Sequence, residues 1–65
     1  MEQLFWCAAW PDIPMARKRL SRIAGIRQVT IQEGGYKLTV QTDTLQNATQ
    51  AAIQLRELGW RLVPG

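Results

Sequence analysis

Ile26-Arg27-Gln28-Val29-Thr30-Ile31-Gln32-Glu33-Gly34-Gly35-Tyr36-Lys37-Leu38-Thr39-Val40-Gln41-Thr42 alternates apolar and polar side chains on both sides of a Gly-Gly pair. A period of two is the signature of a half-buried strand. Val29 and Ile31 share one face, and Gln28, Thr30 and Gln32 share the other. After the glycines, Leu38 and Val40 point inward while Lys37, Thr39 and Gln41 point outward. Gly34-Gly35 predicts a hairpin turn, because glycine alone takes positive φ there without strain. Two antiparallel strands therefore stand at the middle of the chain.

The flanks repeat one plan on each side. Gln3 to Trp10 is apolar on both alternating faces, Leu4/Trp6/Ala8/Trp10 and Phe5/Cys7/Ala9, which suits a central strand that Pro11 ends. Asp12 is placed to cap a helix with Pro14 in its first turn. Ala16, Leu20, Ile23 and Ala24 then recur at helical spacing, with Arg17, Lys18, Arg19 and Arg22 around the rest, and Gly25 is the expected stop. Beyond the hairpin, Asp43 or Thr44 caps a second helix with Leu45, Ala48, Ala52 and Leu55 as its inner stripe and Gly59 at its end. Trp60 to Val63 reads as a last short strand. Strand-helix-strand, twice, joined by a hairpin, folds under the right-handed crossover rule into a four-stranded antiparallel sheet with both helices on one face. The expected class is α+β, ferredoxin-like βαββαβ, as one domain spanning 1–65.

Size and composition narrow the function. A chain of 65 residues buries only about 60% of its unfolded surface, so two layers and no deep pocket are expected. Hydrophobic content of 46% against 20% charged belongs to a globular chain. There is no histidine, which removes the usual general base near neutral pH and the commonest metal ligand. The single cysteine, Cys7, excludes an internal disulfide. No apolar run reaches membrane-spanning length and no secretory signal is visible at Met1, so a cytoplasmic chain is expected. Asp12, Glu33, Asp43 and Glu57 lie on separate elements, Ser21 has no histidine to activate it, and Gly34-Gly35 leads into a strand rather than a helix. No catalytic residue and no cofactor are expected; the chain does not read as an enzyme.

Leu20-Ser-Arg-Ile-Ala-Gly25-Ile-Arg-Gln-Val29-Thr-Ile31 and Ala51-Ala-Ile-Gln-Leu55-Arg-Glu-Leu-Gly59-Trp60 together resemble the heavy-metal-associated (HMA) domain, over nearly the whole chain. The resemblance implies the ferredoxin-like fold and a metal-transport setting, such as the N-terminal domain of a cation-transporting ATPase. The family's metal loop, Gly-Met-x-Cys-x-x-Cys, would place its two cysteines at Ala9 and Asp12, with Cys7 at the methionine position. A two-thiolate site needs both sulfurs on that loop, so the resemblance is to a degenerate member with no metal residues. Asp12-Ile-Pro14 is also similar to the helix start of regulatory ACT domains, although Met15 stands where their ligand-contacting glycine would be. That second resemblance implies a small-molecule-sensing dimer.

Three features compete for a functional role. Cys7 is either a core residue or half of a metal carrier's site completed by a partner; free cysteine is usually buried. The basic run Arg17-Lys18-Arg19 is either a solvated face or a docking surface for a protein partner with an acidic surface. Nucleic acid is disfavoured, because the expected open sheet face offers Gln28, Thr30, Lys37, Thr39 and Gln41, with Tyr36 nearby as its one ring, and the net charge is only +3. Of the three tryptophans, Trp6 is expected in the core. The resemblance to the heavy-metal-associated domain implies that Trp10 and Trp60 approach each other, either packed together or exposed as an aromatic patch edged by Asp12, Met15, Arg17 and Lys18. The leading expectation is a non-catalytic interaction domain with Trp10, Asp12, Met15, Arg17, Lys18 and Trp60 as its partner-binding residues.

Overall fold

Glu2–Cys7 forms β1, Ile13–Leu20 forms α1, and Ile26–Gln32 forms β2 in the computed structural model. Lys37–Thr42 forms β3, Leu45–Glu57 forms α2, and Trp60–Leu62 forms β4. The structure describes residues 1–7 and 10–64. The expected strand over Gln3–Trp10 thus stops at Cys7; its Ala8 and Ala9 lie outside the described residues. The sheet order is β2-β3-β1-β4 with every pairing antiparallel, which is the ferredoxin-like βαββαβ plan. β1 is central, as its apolar character on both faces predicts.

Local chemistry sets each boundary. Asp12 Oδ1 accepts from the Met15 N–H at 3.0 Å and Pro14 stands in the first turn of α1. The helix ends at Leu20 with Ser21 as its cap, four residues before the expected glycine stop. The chain tightens there through i→i+3 bonds, Arg22 N–H to Arg19 O and Ile23 N–H to Leu20 O. Gly25, at φ +82°, serves a different purpose: a Cβ there would lie 2.0 Å from Asn47 Nδ2, so glycine lets this turn approach α2. Thr44, not Asp43, caps α2 by accepting from the Asn47 N–H at 3.1 Å. Asp43 instead pairs with Arg27, which raises the guanidinium pKa through the hydrogen bond and then the opposite charge. The hairpin loop uses Glu33 as well as both glycines at positive φ.

The core lies between one sheet face and the two helices. Phe5, Cys7, Leu38 and Val40 from the sheet meet Ala16 and Leu20 of α1, Ala51 and Leu55 of α2, and Trp60 of β4. The inner stripe of α2 is Ala48, Ala51 and Leu55; Leu45, in the first turn, remains 67% exposed. Small residues on both helices let them sit close to the sheet, leaving volume for a single indole.

That indole is Trp60, 1% exposed, and not Trp6, which is 40% exposed. The reversal follows from strand alternation. Cys7 pairs with Trp60 and Phe5 with Leu38, so the odd residues of β1 face the core and Leu4 and Trp6 face outward.

Candidate functional site

Sequence places an exposed ring, a cap and a basic helix in succession, and the structure sets Trp10 ahead of α1, Asp12 at its N-cap and the basic residues in its last turn. Trp10 is 87% exposed ahead of Pro11. Asp12 is exposed but its carboxylate is engaged at the helix start, so it serves to position α1. Met15, 36% exposed, and Arg17 and Lys18 lie on the solvent side of the helix. Among the described residues no carboxylate pairs with Arg17 or Lys18. Arg19 differs: its Nη1 donates to Glu57 Oε1 at 3.2 Å and to Gln54 Oε1 at 3.1 Å, tying α1 to α2. The three cations occupy the last turn, where the helix dipole favours them. Beside Arg17, a shallow groove of about 250 Å³ runs along Leu20, Ile23, Ile26 and Val29.

Trp60 does not belong to this surface. The expectation that it forms an anchor with Trp10, or packs against it, is corrected by its burial under α2 while Trp10 stands in solvent. The physical reason is pairing: as the inward partner of Cys7, Trp60 must enter the core. The candidate docking residues that the structure leaves exposed are therefore Trp10, ahead of the cap Asp12, and Met15, Arg17 and Lys18 along α1.

The metal expected from the resembled family meets a poor donor set. Ala9 lies outside the described residues, and Asp12 caps α1. Cys7 is 1% exposed within the core, so its sulfur is not presented to a partner chain. Among the described residues no group of three or more His, Cys, Asp or Glu side chains stands together. These donors do not match a two-thiolate site.

One feature of the open sheet face escaped the sequence reading. Trp6 lies there, its ring 6.1 Å from that of Tyr36 at a 36° tilt. The premise that this face holds no ring of its own is thereby overturned. A signal did exist, since Leu4 and Trp6 form one of the two apolar faces of β1. The register of β1 with β3 and β4 decides which face is inward.

No family model and no curated protein matches the chain. Among solved structures, it is similar to the N-terminal domain of ZntA, determined in solution in its Zn(II) form. The two share 25% identity and a TM-score of 0.63, over 95% of this chain and 88% of the other. No helix among the described residues is long and apolar enough to cross a membrane. The element order, the sheet topology and this likeness agree: the chain has the fold of a heavy-metal-associated domain.

Proposed function

We propose that this chain is a non-catalytic interaction domain in a metal-transport setting, a cytoplasmic HMA-like module that has given up metal binding. It works by docking Trp10, Met15, Arg17 and Lys18 onto an acidic protein surface. The observation that carries the reading is the pairing of an 87% exposed indole with a helix whose Arg17 and Lys18 have no carboxylate partner among the described residues. Tryptophan and arginine are the side chains most enriched in binding hot spots. The similarity to the ZntA domain supports the setting, and the thiol-poor first loop supports the loss of metal. Unpaired cations steer an acidic partner into encounter, and the indole, once desolvated, slows its departure.

Two measurements test the proposal. Equilibrium dialysis against Zn(II) and Cu(I) is expected to retain no stoichiometric metal; one equivalent held by the monomer would end the claim of lost binding. Benzoylphenylalanine placed at position 10 is expected to photocross-link an acidic protein in cells, and Arg17→Glu with Lys18→Glu to abolish that adduct. An adduct insensitive to charge reversal would refute the docking surface.

A further inference from the structure

The register places four side chains in one row across the open face of the sheet. Gln32 pairs with Lys37, Lys37 with Trp6, and Trp6 with Arg61. Directly opposed residues have Cβ atoms about 4.5–5.5 Å apart, so the Trp6 indole has a cation on each side. Lys37 and Arg61 make no ion pair among the described residues; Arg61 Nη1 donates only to the Trp60 carbonyl, at 3.2 Å. Tyr36 widens the platform. The next row, Thr30, Thr39 and Leu4, and the exposed amides of Gln28, Gln32 and Gln41 add hydrogen-bonding groups on the same face. The carboxylate of that face, Glu2, lies at the far end of β1 and is held by Gln41 Nε2 at 3.0 Å.

We propose that this face binds single-stranded nucleic acid, with a base stacked on Trp6 and adjoining phosphates on Lys37 and Arg61. Three properties select that occupant. A flat ring on a sheet stacks an unpaired base, which a duplex does not offer. Cations on both sides of the ring match a chain that carries a phosphate on each side of every base. A second copy laid face to face would instead bring like charges together. The surface is distinct from the Trp10 end of α1, so it stands or falls independently of the docking proposal.

Fluorescence anisotropy of labelled 12-nucleotide single-stranded RNA and DNA, at low salt, tests it. Both are expected to bind more tightly than a duplex of the same length, and a preference between them reports contact with the 2′-hydroxyl. Trp6→Ala is expected to weaken binding about tenfold, from the loss of one stacked base, and Trp6→Phe to retain most of it. Lys37→Ala should lower the slope of log affinity against log salt by about 0.7, one phosphate contact. Trp10→Ala and Arg17→Glu are expected to leave binding unchanged. Equal affinity for duplex, no loss in Trp6→Ala, or a Trp6-dependent dimer in sedimentation with no oligonucleotide binding would each overturn the assignment.

Discussion

Replacing Trp60 with alanine tests the central packing assignment against the alternative that Trp6 fills the core. Trp60 is the largest fully buried side chain. Removing a buried tryptophan to alanine costs about 3–5 kcal/mol, the transfer loss plus the cavity left behind. Across 65 residues the whole domain is stabilised by about 3–10 kcal/mol. Trp60→Ala therefore removes between a third and all of the folding free energy. Trp6 is 40% exposed and packs on one side against Tyr36, so Trp6→Ala costs about 1 kcal/mol, mostly the aromatic pair. Urea unfolding followed by far-ultraviolet circular dichroism reads both. With a slope near 1 kcal/mol per molar, as for a small domain, the midpoint falls by about 3 M or more for Trp60→Ala and about 1 M for Trp6→Ala. Trp60→Phe provides a graded point, since it keeps a ring in the core and removes an Nε1–H that has no partner among the described residues. Equal midpoints for the two alanine variants, or the reverse order, would refute the assignment of Trp60 to the core.

Gly25→Ala is expected to lose about 1–2 kcal/mol, because alanine at φ +82° is strained whatever space Asn47 yields; Asn47→Ala in the same chain should recover only the steric part, as thermal denaturation will show. Thr44→Ala removes the α2 cap and should cost about 1 kcal/mol, whereas Asp43→Ala should leave the cap intact. A double-mutant cycle on Arg19 and Glu57, both partly exposed, should return a coupling under about 1 kcal/mol that fades with salt. Ala9→Cys with Asp12→Cys restores the thiol pair implied by the family resemblance. That variant is expected to retain one Zn(II) where the parent retains none, and failure to do so would show that the loop correspondence is wrong.

The architecture was legible because its signals are local. The hairpin announced itself through alternation around Gly34-Gly35, and each helix through a capping side chain at its start. Asp12 caps as its position predicts. The helix boundaries were less legible where two signals compete. Asp43 and Thr44 are both good caps; Thr44 takes the position, while Asp43 engages Arg27. Gly25 resembles a helix stop, yet its conformation answers to a neighbour across the fold, Asn47, that no local pattern reveals. The indoles were the hardest. A strand that is apolar on both faces has no preferred phase, so Trp6 and Phe5 are equivalent until a partner strand is added. The inward turn of Trp60 settles that phase, and it depends on a pairing 53 positions away, Cys7 with Trp60. Within the candidate site, the basic face of α1 was legible as a sequence property; the exposure of Trp10 apart from Trp60 was not, because it follows from the inward pairing of Trp60.

The shortest strand carries the heaviest anchor. β4 has only three residues and lies at the sheet margin, where the outermost amides ordinarily fray and exchange with solvent ahead of the rest. Detaching it, however, drags the largest core ring into water, so the margin cannot peel away while the interior stays intact. A form opened at β4 alone is therefore expected to stay sparsely populated. Deuterium uptake at β4 should keep pace with that at β1 and β3, and a protease should find the carboxy-terminal segment only when the entire molecule has come undone.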